Sequence, residues 1–404
     1  MRIVHVLTRL LRAGSEENTL ASCLAQAAAG HDVHLVHGRD FDPRYYETLT
    51  DRIHLRRVGS LVHHLAPLHD GRAFLEMRAM FRRLKPDIVH THQSKAGIVG
   101  RLAARAASVP HIVHGVHIVP FVNVGTLQRI VYLTAEKVAS SVTDAFIDVS
   151  RGMRDICLEA GVGKPEQHLV IQSGFELSRF RNACPPDDWR EILGIGPDDP
   201  RPPVVTMLAA LEPRKRHSEF LDAFPRILKR FPDLRLILPG EGPARGAIEE
   251  KIRDLGLERN VRLVGYRTDP ERLIALADLC ALTSTREGLP RVIMQYLAVG
   301  RACVVSDLPG LDEVVQDNVN GVVTPADDMA AAADAITALL EDRERLTRLS
   351  HGAAATDLGN WEVTNMCDRI EEVYRNLASA RPAGRGNDRR PLSSVPGASK
   401  SGSS

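Results

Sequence analysis

Apolar residues along the chain recur with two alternating periods. Short runs rich in β-branched residues, RIVHVL, DVHLVHG, RIHLRRV, DIVHTH, HIVHGV, AFIDVS and HLVIQSG, punctuate the first half, and PVVTMLA, LRLILPG, VRLVGY, LCALTS, ACVVSD and GVVTP punctuate the second. Between them lie amphipathic stretches such as EENTLASCLAQAAA and SEFLDAFPRILKRF. Strand and helix in regular alternation predict an α/β architecture, with parallel sheets covered on both faces. Only ACPPDDWREILGIGPDDPRPP, residues 183–203, breaks the rhythm, because prolines and acidic residues crowd there. The expected organisation is an amino-terminal domain over 1–180, a linker over 181–203, a second domain over 204–360 and a closing helix over 361–380. A tail over 381–404, made of Pro, Gly, Ser and Arg with little to bury, is expected to be disordered. Open α/β sheets bind ligands beyond the carboxyl ends of their strands, so two facing domains of this kind would make a cleft.

Composition adds limits. With 404 residues, 44% hydrophobic and 25% charged, the chain can bury two cores. The net charge of +1 conceals an asymmetry: residues 1–180 hold 22 Lys and Arg against 17 Asp and Glu, the remainder 30 against 34. That is too mild for a nucleic-acid protein but fits an amino-terminal half that meets an anionic surface or substrate. Fourteen of the 16 histidines fall in the same half. The six cysteines form no C-x-x-C pair, which argues against a zinc cluster and for a reduced, cytoplasmic setting. The RIVHVL start is too short for a signal peptide, and no apolar run is long enough to span a membrane.

Several local patterns carry chemistry, each beside a plainer reading. LPGEGPARG places Gly240, Gly242 and Gly246 between a strand and a helix; the G-x-G-x-x-x-G spacing favours an ordinary turn, beside a ligand, over a nicotinamide site. Asp40 and Asp42 form a D-x-D that reads more readily as a solvated turn than as a metal site. LEPRKRHSEF sets Arg214, Lys215, Arg216 and His217 before a helix, where its dipole favours an anion; hydrated basic side chains are the equal alternative. Gly14 lies in the first strand-to-helix loop, where a missing side chain lets backbone approach a ligand. His90 and His92, and His114 and His117, end two strands; no third ligand is visible from spacing, so hydrogen bonding is preferred to metal. The run 71–86 pairs Phe74, Met77, Phe81 and Leu84 with Arg72, Arg78, Arg82, Arg83 and Lys85; packing on the sheet is preferred to lying on an anionic membrane.

AGSE (13–16), GHDV (30–33), DIVHTHQSKAG, LEPRK, GEGP, NVRLVGY, STREGLP and SDLPGLDEVV, in this order, resemble the retaining glycosyltransferases of family 4 over nearly the whole chain. The resemblance implies the GT-B fold, two facing Rossmann-like domains with an interdomain cleft. The carboxy-terminal domain would bind a nucleotide-diphosphate sugar, and the amino-terminal one a glycan, lipid-linked or small-molecule acceptor. It assigns catalytic roles to His117, Glu287 and Lys215. It assigns donor binding to Gly14, Arg214, Lys215, Tyr266, Glu287, Gly288, Leu289 and Gln295. Neither metal nor cofactor is implied, since the nucleotide-sugar is itself a substrate. Lys215 would hold the diphosphate, Tyr266 lies where the family meets the base through backbone, and Glu287 would grip donor hydroxyls. Three positions depart from the family: Ala210 where an arginine is common, Ile118 where a glycine usually follows the histidine, and Gln295 where a second glutamate normally holds the ribose. The expected activity is hexosyl transfer, UDP-dependent, in envelope or exopolysaccharide synthesis, with possible peripheral contact with an anionic membrane and no nucleic-acid partner. A nucleotide-sugar 2-epimerase on the same fold and a non-catalytic sugar-nucleotide binder are the alternatives.

Overall fold

The computed structural model describes residues 1–379 apart from 12, 13, 65, 123, 288 and 289, so the tail expected over 381–404 lies outside the described residues. Each of the apolar runs contains a strand. Seven form one sheet: β1 (Arg2–Leu7), β2 (Asp32–His37), β3 (His54–Arg57), β4 (Ile88–His92), β5 (His111–Val116), β6 (Ala145–Asp148) and β7 (His168–Val170), in the order β3-β2-β1-β4-β5-β6-β7. Six form another: β8 (Val204–Thr206), β9 (Arg235–Pro239), β10 (Val261–Gly265), β11 (Leu279–Leu282), β12 (Cys303–Ser306) and β13 (Gly321–Thr324), in the order β10-β9-β8-β11-β12-β13. All these pairings are parallel.

Contacts group the chain into two compact units. Of the described residues, the first comprises 1–148, 154–171 and 367–379; the second comprises 149–153 and 172–366. The segment read from sequence as a linker lies within the second unit. There WREIL forms the short helix Trp189–Leu193 and buries Ile192 and Leu193 in that unit's core. Its apolar face outweighs the prolines and aspartates around it.

Burial on both faces explains why the strands read as continuous apolar runs. In β11, Cys280 and Leu282 join one core cluster and Leu279 and Ala281 the other; in β12, Cys303 and Val305 oppose Val304 in the same way. The first unit repeats this, with Val4, Val6 and Val36 on one side and Leu7, Val33 and Leu35 on the other. Side chains on a strand alternate between faces, so each sheet faces apolar residues on both sides. In each sheet the chain order reverses once, at β1/β4 and at β8/β11, and those reversals mark where a crevice can open beyond the strands' carboxyl ends.

Helix Pro67–Leu84 directs Ala73, Met77, Phe81 and Leu84 into the core beside Val4, Val6 and Val89, so its stripe packs on the sheet. Helix Thr126–Ser140 is different: it buries only Glu136 and Ala139. Glu136 Oε2 accepts from Arg101 Nη2 at 2.5 Å, while Arg101 Nε donates to Gly97 O at 2.7 Å and Nη1 to Thr143 Oγ1 at 3.3 Å. This buried ion pair holds the helix and leaves Leu127, Ile130, Val131 and Val138 exposed. Among the described residues, no helix is long and apolar enough to cross a membrane.

Removing one partner of a buried pair strands the other charge, at a cost of about 3–5 kcal/mol, whereas an apolar pair of similar volume is close to neutral. Urea denaturation is therefore expected to show Glu136→Ala destabilised by about that amount, and the double replacement Arg101→Met with Glu136→Leu recovering most of it. A loss below about 1 kcal/mol in the single variant would contradict the pinning role.

Candidate active site

At the chain reversal of the second unit, the segments leaving β8 and β11 meet. After β8 the chain makes a single 3-10 turn, Pro213–Lys215, and enters helix His217–Leu228 through Arg216, which adopts a left-handed conformation at φ 59°. After β11 it runs past Thr283 and Thr285 to Pro290, whose fixed φ leads into helix Arg291–Ala298. Two bonds tie these segments: Thr285 N donates to Arg214 O at 2.9 Å, and Thr283 Oγ1 to Lys215 O at 3.0 Å.

The ties bring charges together. Glu287 Oε1 accepts from Arg214 Nη1 at 2.8 Å and from Lys215 Nζ in a short ion pair; Arg214 Nε also donates to Glu212 Oε2 at 2.7 Å. Lys215 is only 7% exposed. Burial lowers its proton affinity, and the Glu287 carboxylate works against that. Burial alone would raise Glu287, but Lys215 and Arg214 together outweigh it and hold the carboxyl below its ordinary range. The cluster thus pairs a buried ammonium and a partly exposed guanidinium with carboxylates, an arrangement suited to exchanging one anion for another.

Around it stand the other residues singled out in the sequence. Tyr266 follows β10 and is 43% exposed. Gln295 is buried in helix Arg291–Ala298. Gly288 and Leu289 lie outside the described residues. Arg216 does not join the cluster: the left-handed turn sends its guanidinium to Ala326 O and toward Glu219. His217 is buried, with neither ring nitrogen hydrogen-bonded among the described residues, and burial, then nearby Lys215, lowers its pKa to about 4. The glycine loop is a close-packed turn. A Cβ at Gly240 would sit 2.0 Å from Ala209 O, and one at Gly242 2.4 Å from Leu211 O, so both glycines let this loop lie against the segment leading to Lys215.

Sequence reasoning missed Tyr296. Its hydroxyl accepts from Leu208 N at 2.9 Å and donates to Ala281 O at 3.2 Å, clamping helix Arg291–Ala298 to the strands from which both site segments depart. The signal was one hydroxyl in an otherwise apolar helix face, next to Gln295.

Gly14 and His117 belong to the first unit. Gly14 opens helix Gly14–Ala28, and the reversal at β1/β4 is closed by Gln93, whose Oε1 accepts from Thr8 N at 2.9 Å and Arg9 N at 3.2 Å. Gln93 holds φ 60° and ψ 165°, a conformation other residues seldom adopt and one that collects at functional sites. The third histidine that spacing did not reveal is His5, delivered by β1: it, His90 and His92 each bring a ring nitrogen within 4.8 Å of the others. The meeting nitrogens of His5 and His92 are hydrogen-bonded to each other at 3.0 Å. In the D-x-D, the Asp42 carboxylate is held by Arg44 through contacts of 2.7 to 3.1 Å, as expected of a turn.

Comparison with known proteins gives a consistent picture. The family model for glycosyl transferases group 1 matches residues 189–356, and that for the glycosyl transferase 4-like domain matches 13–174. The chain is 26% identical over 382 residues to the UDP-Gal:alpha-D-GlcNAc-diphosphoundecaprenol alpha-1,3-galactosyltransferase of Escherichia coli, covering 93% of this chain and 97% of that one. It is 28% identical over 313 residues to the putative glycosyltransferase EpsD of Bacillus subtilis, covering 73% and 80%. In fold it resembles Anabaena HepE, solved with UDP and glucose, at a TM-score of 0.78 and 22% identity over 93% and 99% of the two chains.

Burial of the first unit's histidines sets a pH dependence. Desolvation lowers the pKa of His5 and His117 to about 4 and that of His92 well below its ordinary value. The unfolded chain then binds more protons than the folded one, so this stability is fully present above pH 6.5 and is lost as pH falls toward 4. His5 alone accounts for roughly 2 kcal/mol at pH 5. Thermal melts are expected to decline over that window; a flat melting temperature from pH 7 to 4.5 would contradict the assignment.

Proposed function

The chain belongs to the group 1, family 4 type of glycosyltransferases, and on that premise we propose that it moves a hexose from a UDP-sugar to a glycan, lipid-linked or small-molecule acceptor with retention at the anomeric carbon. The observation that carries this reading is the meeting of Lys215, Arg214 and Glu287 at the carboxyl ends of β8 and β11. Lys215, with Arg214 beside it, is the diphosphate anchor. Glu287 exchanges part of its cation pairing for hydroxyls of the donor sugar. Tyr266 lies by the base, and Gln295 offers the ribose one acceptor and one donor in place of a carboxylate. Gly14 contributes backbone N–H at a helix start, and His117 a contact to the donor sugar, both assigned on the family resemblance.

In the reaction the bond between the anomeric carbon and the β-phosphate oxygen breaks with its electron pair on UDP. The acceptor hydroxyl bonds the same face of that carbon and passes its proton to the departing phosphate. Negative charge gathers on the leaving oxygen, where a preorganised ammonium acts most strongly. No cofactor enters this scheme. The relatives reported above are named as transferases, which gives the epimerase alternative no support.

The E. coli relative, named for a diphosphoundecaprenol-linked acceptor, favours a lipid-linked acceptor and envelope or exopolysaccharide synthesis at the cytoplasmic membrane face. Contact with the bilayer would fall to the exposed Leu127, Ile130 and Val131 with Arg129, rather than to the buried stripe of helix Pro67–Leu84.

With a panel of nucleotide-sugars and a lipid-diphosphate acceptor, Lys215→Ala is expected to lower kcat by roughly 100- to 1,000-fold while circular dichroism stays unchanged. Turnover within about threefold of wild type in a folded Lys215→Ala protein would remove Lys215 from the reaction.

A further inference from the structure

An unbroken chain of buried side chains runs through the first unit to His117. His5 on β1 stands in register with His90 on β4, and His92 lies two residues further on the same face, opposite Val4, Val6 and Val89. Gln26, from helix Gly14–Ala28, places Oε1 2.8 Å from His5 Nε2. His5 Nδ1 is 3.0 Å from His92 Nε2, and His92 Nδ1 is 3.1 Å from His117 Nε2. Gly115, the register partner of His92, makes the last contact possible: a Cβ there would lie 2.9 Å from His92 Nδ1 and 3.2 Å from His117 Nε2.

The direction of each bond follows from its first member. A neutral imidazole carries one N–H and one lone pair, and an amide oxygen only accepts. Gln26 presents its oxygen, Oε1, to His5 Nε2, while the Tyr374 hydroxyl and His90 Nδ1 meet at 2.6 Å beside them. His5 must then donate through Nε2 and accept at Nδ1. His92 must donate through Nε2 to His5 and accept at Nδ1, so His117 donates through Nε2. Its Nδ1 is left with the lone pair.

We propose that Gln26 is a positioning residue for transfer: through His5 and His92 it fixes His117 in the Nε2–H form and so presents His117 Nδ1 as a hydrogen-bond acceptor for a sugar hydroxyl. This rests on the reading of His117 as a donor-sugar contact. The amide at the far end cannot take up a proton, so the chain transmits a tautomer and carries no net proton flow. Burial keeps its imidazoles neutral, as the order requires.

The test is long-range proton–nitrogen NMR of the full chain with nitrogen-15 in its histidines, assigned by single His→Gln variants, beside steady-state kinetics. Wild type is expected to show a pyridine-type Nδ1 at His5, His92 and His117. Gln26→Leu removes the acceptor and should mix the tautomers at all three. It should also lower kcat roughly three- to tenfold at nearly constant donor KM, and Gln26→Glu, which keeps an acceptor oxygen, should restore both. Gly115→Ala should mix the tautomer of His117 while sparing His5. A protonated Nδ1 at His117 in wild type, or a His117 tautomer unmoved by Gln26→Leu, would overturn the proposal. Mixed tautomers with unchanged kcat would uphold the relay and overturn instead the donor-sugar role of His117.

Discussion

The Glu287 carboxylate, held between Lys215 and Arg214, is the contact on which the second unit's site depends. Lys215 and Glu287 are largely withdrawn from solvent, Arg214 only in part, and either of the first two would be costly to bury alone. Together they stabilise an arrangement in which one ammonium is already desolvated and aimed before any ligand arrives. The remaining contacts serve that pair: the threonine bonds lock the two segments, the glycine loop packs beneath one of them, and Tyr296 fixes the helix that follows the other.

Parallel topology makes such a pair possible. β8 and β11 are neighbours in the sheet yet are separated in sequence by two strands and their helices, so their carboxyl ends deliver side chains 72 residues apart to one place. The first unit uses the same reversal differently. There β1 and β4 bring His5 beside His90 and His92, and Gln93 closes the loop above them. One unit concentrates charge and the other concentrates neutral imidazoles, which follows the uneven distribution of histidine along the chain.

The strands were legible because burial on both faces keeps β-branched and other apolar residues dense within them, even where histidines interrupt the run in the first unit, and Gly, Pro or Asp marks many of their ends. The family motifs placed Lys215 and Glu287, and the structure joins them. Which carboxylate meets which cation was not legible, because only the strand order decides it; RKR gave no sign that Arg216 turns away, since that depends on a left-handed φ. Tyr296 and Gln26 escaped notice for a related reason: a polar atom on a buried helix face has meaning only through its partner. In the 181–203 segment, expected as a linker, prolines and acidic residues mask the short helix Trp189–Leu193, whose Ile192 and Leu193 join the second unit's core.

The central claim is that the Lys215 cluster is where the nucleotide's diphosphate binds, and a structure of the chain with UDP tests it most directly. The account predicts diphosphate oxygens within hydrogen-bond distance of Lys215 Nζ beyond the ends of β8 and β11, with the Lys215–Glu287 pairing loosened to admit them. UDP bound elsewhere, with that ion pair intact, would contradict it.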